Sequence, residues 1–299
     1  MLRHAEDDVF MLWQNEPSVI IGKNQNAYAE VDTALAAERG IHIARRITGG
    51  GAVYHDLGNL NYTFISPSGG AKPLDFEYFT RPIRSALAEL GVEATLGGRN
   101  DLECGGRKFS GNAQHAEGGR ILHHGTLLFD TNPAVMSSVL KVDREKLEHK
   151  GVRSVAARVV NLRELLPSGF TVSEFIGKIE QSVCSELGAV ETGLPVSEEI
   201  DELYRRNASP EWIFSEKRFL TGYTVRRKKK FPFGLVEAEM VLEREVISHI
   251  VISGDFFGTS PIEELEATLI GKNPRDLAAV DPSPYIAGMT AEALSELLG

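Results

Sequence analysis

Apolar residues along this chain either alternate with polar ones or recur at intervals of three and four, so the pattern separates into strands and helices. Val9 to Trp13 and Ser18 to Ile21 are short apolar runs around Asn15-Glu16-Pro17, which predicts two strands joined by a turn. Gly22-Lys23-Asn24-Gln25-Asn26 follows as a polar loop. Glu30 to Arg39 carries Val31, Leu35 and Ala36 at helical spacing, with Gly40 as the stop. Ile41 to Ala44, Ala52 to His55 and Leu60 to Ile65 predict strands, the last two joined by the turn Asp56-Leu57-Gly58-Asn59. From Leu74, the residues Phe76, Phe79, Ile83, Leu87 and Leu90 lie on one face of a helix that ends before Gly91, and aromatics at this spacing read as core.

Val92 to Asp130 returns to strands, with Gly105-Gly106 and Gly118-Gly119 as hairpin signals. Asn132-Pro133 opens a helix. Ser173 to Leu187 forms another, burying Phe175, Ile176, Ile179 and Val183, with Gly188 at its end. Thr192-Gly193-Leu194-Pro195 reads as a linker, followed by a short helix, Glu198 to Arg206. Two β runs come next, Tyr223 to Phe231 and Leu235 to Ile252, the second with a charged break near Glu243-Arg244-Glu245. Pro261 to Ile270, Pro274 to Val280 and Thr290 to Leu298 predict short helices. Strands and helices are mixed without regular βα alternation. The expected fold class is therefore α+β: a mixed β-sheet flanked by helices, with a second, smaller α+β domain.

A chain of 299 residues can bury two cores. Its net charge of −10 argues against a general nucleic-acid binder, whose footprint would be basic. No apolar run approaches the ~20 residues of a membrane span, and the opening residues, Met-Leu-Arg-His-Ala-Glu-Asp-Asp, are too polar for a secretory signal. Cys104 and Cys184 form no CxxC pair and no metal-ligand spacing. The expectation is a cytoplasmic protein with neither nucleic acid nor membrane as partner.

Candidate chemistry centres on Arg45 and Arg46, which stand just before Gly49, Gly50 and Gly51. A strand, a glycine hairpin and a strand with cations at the mouth would leave backbone N–H groups free beside fixed positive charge, a place for an anion such as phosphate. The plain alternative is a tight turn. Neither GxxxxGK[ST] nor GxGxxG is present, so a nucleotide site here would be of another kind. Lys108, taken alone, reads as a solvated surface lysine, yet it sits between Gly105-Gly106-Arg107 and Ser110-Gly111, where small residues leave room for a ligand. Asp101 is either a turn residue or a carboxylate for a hard cation. His55, Asp56, His123 and His124 lack the G-x-S-x-G elbow of a nucleophilic triad. Cys184 falls on the apolar side of its helix, where a buried thiol is the ordinary outcome. Arg226-Arg227-Lys228-Lys229-Lys230 is a basic run in an acidic protein, either an edge strand protected from pairing by charge or a docking patch for an acidic acceptor.

Three blocks in order carry a resemblance to a known family. Arg45 to Asn61 is similar to the RRxxGGGAVYHDxGNLN signature of lipoate-protein ligases. Gly98-Arg99-Asn100-Asp101 through Lys108-Phe109-Ser110-Gly111-Asn112-Ala113-Gln114 resembles their GRND and K-x-S-G-x-A-Q elements, and His123-His124-Gly125-Thr126-Leu127-Leu128 resembles the strand that follows. Gly254-Asp255-Phe256-Phe257 resembles part of the family's C-terminal domain. The resemblance runs over nearly the whole chain and implies a catalytic domain over residues 1–190 and an accessory domain over 191–299.

It also implies a chemistry: ATP and Mg²⁺ activate lipoate to lipoyl-AMP, and the acyl group passes to a lysine. The acceptors it implies are lipoyl domains of 2-oxoacid dehydrogenase E2 subunits or the glycine-cleavage H protein. By the same resemblance Lys108 and Arg46 are catalytic, Asp101 holds the metal, and Arg45 assists. Gly49, Gly50, Gly51, Ala52, Val53 and Tyr54 line the nucleotide pocket with Asn100, Ser110, Gly111, Ala113, Gln114 and His124. Family members usually have a strand and a helix ahead of the region matching Phe10 to Gly22. This chain has almost nothing there, so the expectation is either a start set late or a missing sheet edge and acyl-tunnel wall. The alternatives are an octanoyl or lipoyl transferase working through a cysteine thioester, a biotin ligase, and a non-catalytic lipoyl-binding module.

Overall fold

The computed structural model describes residues 7–68, 72–141, 158–193, 197–219 and 222–299. Leu194 and Pro195 of the expected linker, and the first six residues read for a signal, lie outside the described residues. The chain divides into two compact units, one of Met1–Val19, Val31–His42 and Tyr54–Ile200, the other of Ile20–Glu30, Ile43–Val53 and Asp201–Gly299.

The strands are β1 (Val9–Trp13), β2 (Ser18–Ile21), β3 (His42–Arg45), β4 (Val53–His55), β5 (Asn59–Pro67), β6 (Thr95–Gly97), β7 (Asp101–Cys104), β8 (Arg107–Glu117), β9 (Arg120–Leu128), β10 (Val225–Phe231), β11 (Gly234–Glu243) and β12 (Val246–Gly254). They form a six-stranded sheet ordered β1-β5-β9-β8-β7-β6 and two three-stranded sheets, β10-β11-β12 and β3-β2-β4. The long sheet is antiparallel along its ladders, with one parallel bridge from Lys108 to Val159.

Strand alternation gives the long sheet two different faces. Leu60, Tyr62 and Phe64 of β5, with Leu102, Ile121 and Leu127, face the helices Phe76–Glu89 and Val172–Leu187 and pack on Phe79, Ile83, Leu87, Phe175, Ile179 and Val183. Burial of so many large side chains, each worth about 1.5–3 kcal/mol, is the main stabilisation of this unit. Both helices are started by their own sequence. Asp75 accepts from Tyr78 N, and Thr171 with Glu174 makes a reciprocal capping box. The opposite face carries Trp13, Asn61, Thr63, His124 and Thr126, as the register Trp13↔Asn61↔Thr126 and Thr63↔His124 requires.

In the second unit the sheet β10-β11-β12 buries Val236, Ala238, Met240, Ile250 and Ile252 against the helices Ile262–Leu269 and Ala291–Leu298. The basic run lies on β10, at the edge of this sheet. Three of its five cations meet carboxylates within the unit: Arg226 pairs with Glu237 and Glu239, Lys229 with Glu296 and Lys230 with Asp255. Among the described residues no helix is long and apolar enough to cross a membrane.

Three expectations change. The helix expected over Glu30 to Arg39 is the shorter Thr33–Glu38, capped by Asp32, which accepts from Leu35 N at 3.0 Å, while Glu30 ends a separate helix, Ala27–Glu30. Pro274 to Val280 makes turns and no helix; Asp276 N bonds Asn273 O and Val280 N bonds Leu277 O, without propagation between them. The glycine triplet is not a hairpin turn between paired strands. Strand β2 lies between β3 and β4, so the two runs around the glycines are not neighbours.

The β11–β12 connection is a two-residue loop between Glu243 and Val246, and its residues Arg244 and Glu245 both have positive φ, 52° and 66°. This is the type I′ geometry that Asn-Gly adopts with least strain. Replacing Arg244 by Asn and Glu245 by Gly is expected to raise the unfolding free energy by about 1–2 kcal/mol, read from urea denaturation curves with an unchanged slope.

Candidate active site

Lys108 owes its direction to an irregularity in the sheet. The register runs Asp101↔Gly111 and Leu102↔Ser110, then Glu103↔Lys108, so β8 carries one extra residue at Phe109. Such a bulge shifts the alternation by one. Without it Lys108 would share the helix-covered face with Ser110; with it, Lys108 shares the face of Asp101 and Gly111. Its ammonium reaches Asp101 Oδ1 at 2.8 Å, both side chains keeping partial exposure. Gly111 makes the crossing possible, since a Cβ there would stand 3.2 Å from Lys108 Nζ and 3.5 Å from Cε. The backbone is held on either side: Val160 N donates to Lys108 O at 2.9 Å and Gly111 N to Thr126 Oγ1 at 3.1 Å.

Ala113 and His124 face each other across β8 and β9 on this same side. Ser110 and Gln114 do not join them. Ser110 is fully buried on the helix side, and the Gln114 amide accepts from Leu74 N at 2.6 Å and donates to Asp75 O and to His123 Nδ1. That donation fixes the His123 proton on Nε2. Burial between Phe79 and Tyr62 holds this imidazole neutral, far below its ordinary pKa. Asn100 pairs reciprocally with Asn112, and Asn112 in turn with the Tyr62 hydroxyl. His55 bonds Asn15 at 3.0 Å beside the Trp13 ring. Tyr54 is buried.

Arg45, Arg46 and the glycines belong to the other unit. The Arg45 guanidinium is 5% exposed and is wrapped by the carbonyls of Gly22, Lys23, Gln25, Trp212 and Ile213. Arg46 donates to Ile20 O, Thr48 Oγ1, Gly49 O and Gly51 O. Among the described residues neither has a carboxylate partner. Burial, and then the charge of Arg218 for Arg45 and of Arg45 for Arg46, lowers each guanidinium pKa to about 10.

The glycine segment is shaped from both sides. Gly50, at φ 89°, donates its N–H to Phe256 O at 3.1 Å, and a Cβ on Gly22 would fall 2.0 Å from Gly50 O. The N–H groups of Gly51 and Ala52 donate to no acceptor among the described residues. Val53 begins β4 immediately after them and is partly exposed. Backbone N–H groups beside fixed positive charge are the elements from which anion sites are built.

Sequence reasoning missed the supporting roles of Thr126, Trp212 and Ile213. Thr126 could have been found from strand pairing, but Trp212 is 167 residues from Arg45 and carries no local signal. No cluster of three or more metal-ligating side chains occurs among the described residues. Asp101 alone could serve only a metal that brings most of its ligands with it, as Mg²⁺ on a triphosphate does.

The chain is similar to known proteins along most of its length. Residues 1–184 match the family described as lipoyl protein ligase A/B catalytic domain, and residues 221–298 the bacterial lipoate protein ligase C-terminus. The lipoate-protein ligase LplJ of Bacillus subtilis (strain 168) is 36% identical, with 98% of this chain and 91% of that protein covered. Lipoate–protein ligase 1 of Staphylococcus aureus (strain Mu50) is 38% identical over 89% of this chain and 81% of its own. Among solved structures, P. falciparum LipL1 in complex with lipoate has a TM-score of 0.73 at 25% identity, covering 89% of this chain and 78% of that one. The bipartite lipoate protein ligase of Thermoplasma acidophilum, solved in work on that ligase and its E2 lipoyl domain, gives 0.62 at 28%, covering 75% and 89%. A lipoate-protein ligase A bound with ATP gives 0.58 at 26%, covering 71% and 87%.

Lysine offers three donors on one nitrogen and cannot replace a planar fork that serves five carbonyls. Arg45→Lys is therefore expected to lower the unfolding free energy by about 2–4 kcal/mol, measured by urea denaturation, because several buried carbonyls lose their partner.

Proposed function

The chain belongs to the lipoate-protein ligase family and is an ATP-dependent ligase for lipoate, and from that premise we propose which of its residues do the chemistry. The observation that carries the proposal is the buried, unpaired charge of Arg45 and Arg46 beside the open N–H groups of Gly51 and Ala52.

A carboxylate is a poor acyl donor, because its leaving group would be oxide. One oxygen of the lipoate carboxylate attacks the α-phosphorus of ATP; that P–O bond forms, the bond to the bridging oxygen breaks, and pyrophosphate leaves. Two anions must approach each other, so fixed cations lower the barrier. Lys108 serves there, exchanging its contact with Asp101 for the α-phosphate and the acyl carbonyl. Arg46 supplies positive potential to the phosphates, together with the N–H groups of Gly51 and Ala52. Gly49, Gly50, Val53 and Tyr54 shape that segment, and Arg45 holds it in place.

Asp101 would hold Mg²⁺ carried by the nucleotide, which supplies charge neutralisation on the phosphates. Asn100 fixes the strand beside it. Gly111, Ala113 and His124 present the face on which the acyl group lies, while Ser110 and Gln114 support it from behind. The ε-amine of an acceptor lysine then attacks the acyl carbon, loses a proton, and AMP departs. The acceptors are lipoyl domains of E2 subunits or the glycine-cleavage H protein, and the compartment is the cytoplasm. Residues 1–190 act as the catalytic domain and 191–299 as its accessory domain.

Cysteine chemistry is disfavoured. Burial, then the charges of Glu180 and Glu191, push the Cys184 thiol above its ordinary pKa, and Cys104 packs against the core.

Incubation with lipoate, ATP and Mg²⁺ is expected to release pyrophosphate, with biotin inert in place of lipoate. Lys108→Ala should slow that release by roughly 10³-fold while leaving the fold intact by circular dichroism. Undiminished release from Lys108→Ala would remove the lysine from the mechanism. Loss of acyl transfer only on Cys→Ser substitution would restore the thioester reading.

A further inference from the structure

The short helix Pro210–Phe214 starts at Ser209, whose Oγ accepts from Trp212 N at 3.3 Å, and ends at Ser215 in the left-handed conformation. A helix end leaves its last carbonyls without partners. Arg45 takes two of them, through Nε to Trp212 O at 2.9 Å and Ile213 O at 3.0 Å, and through Nη2 to Ile213 O at 2.8 Å. Trp212 answers with its indole: Nε1–H donates to the backbone carbonyl of Arg45 at 2.8 Å. The Arg206 guanidinium lies over the same ring, 5.0 Å from its centroid.

The carbonyl that Trp212 holds and the N–H of Arg46 belong to one planar peptide unit. Arg46 N donates to Ile21 O at 3.0 Å, so this plane is pinned at one edge by the indole and at the other by β2. From it the Arg46 side chain extends to the carbonyls of Gly49 and Gly51. A rotation of that single peptide would carry the guanidinium and the open N–H groups of Gly51 and Ala52 with it. We propose that Trp212 is a positioning residue for the nucleotide, acting through the Arg45 carbonyl on Arg46 and the glycine segment, without touching ATP itself. This rests on the reading of that segment as the phosphate site.

The test is Trp212→Phe, which keeps the ring and removes the one N–H. The expected result is a KM for ATP raised roughly tenfold, as loss of one buried hydrogen bond would give. The KM for lipoate, and the transfer rate from chemically prepared lipoyl-adenylate, should stay within about twofold, and the rise in Tm that ATP causes should shrink. Arg206→Ala, which leaves the indole N–H in place, should keep the KM for ATP. An unchanged KM for ATP in Trp212→Phe, or an equal rise for lipoate, would overturn the proposal. Should Trp212→Phe not fold, the wild-type protein still decides. The Trp212 indole N–H resonance, one of two in the spectrum, must move on titration with ATP and stay in place with lipoate. Failure of the wild type to release pyrophosphate would instead sink the ligase reading.

Discussion

A guanidinium buried without a carboxylate has to be solvated by the chain itself, and Arg45 is solvated by the carbonyls of five residues. That requirement organises the second unit. Loop 22–25 and the helix Pro210–Phe214 must both present oxygen to one point, although they are far apart in sequence. Carbonyl dipoles satisfy the hydrogen bonds but leave the positive charge unneutralised, and burial, then the neighbouring guanidinium, lowers both arginines to about 10. An approaching anion regains that interaction, so the same burial that fixes the segment also gives it its preference for negative charge.

The first unit meets a different constraint. A regular antiparallel strand would place Lys108 under the helices, where an unpaired ammonium is costly. One additional residue, Phe109, reverses this. It buries its ring in the core while the backbone bends, and Lys108 comes out beside Asp101. The bulge thus reconciles a continuous hydrophobic face with a cation on the opposite one. Gly111 completes the arrangement by leaving the lysine stem a path across the strand.

Much of this was legible in the residues. Periodicity fixes the two large helices and most strands, because each buries one clear face, and the three blocks of the resemblance single out Arg45 to Asn61, Gly98 to Gln114 and His123 to Leu128 as the candidates for chemistry. The order β3-β2-β4 was not legible: consecutive apolar runs around glycines suggest a hairpin, and only non-local pairing inserts β2 between them. The bulge at Phe109 was hidden for a similar reason, since a one-residue shift appears only when two strands are set side by side. Ser110 and Gln114 stand in a motif beside Lys108, yet strand alternation turns their side chains away from it. Trp212 was invisible because its partner is remote and it sits in a five-residue helix.

The basic strand shows how a run of charge in sequence differs from a field in space. Arg226 to Lys230 read as a positive patch on an acidic protein, which would suit an acidic acceptor. Folding brings Glu237 and Glu239 from the neighbouring strand, Glu296 from the last helix and Asp255 from the end of β12 to meet three of these cations. The paired cations attract a distant partner weakly, because the potential of opposite charges a few ångströms apart falls off within one Debye length, ~8 Å at physiological salt. What the row still does is local. Long charged side chains along the outer strand of a three-stranded sheet discourage another chain from adding to its open edge. The edge-strand reading therefore accounts for Arg226, Lys229 and Lys230, whose partners lie in the same unit.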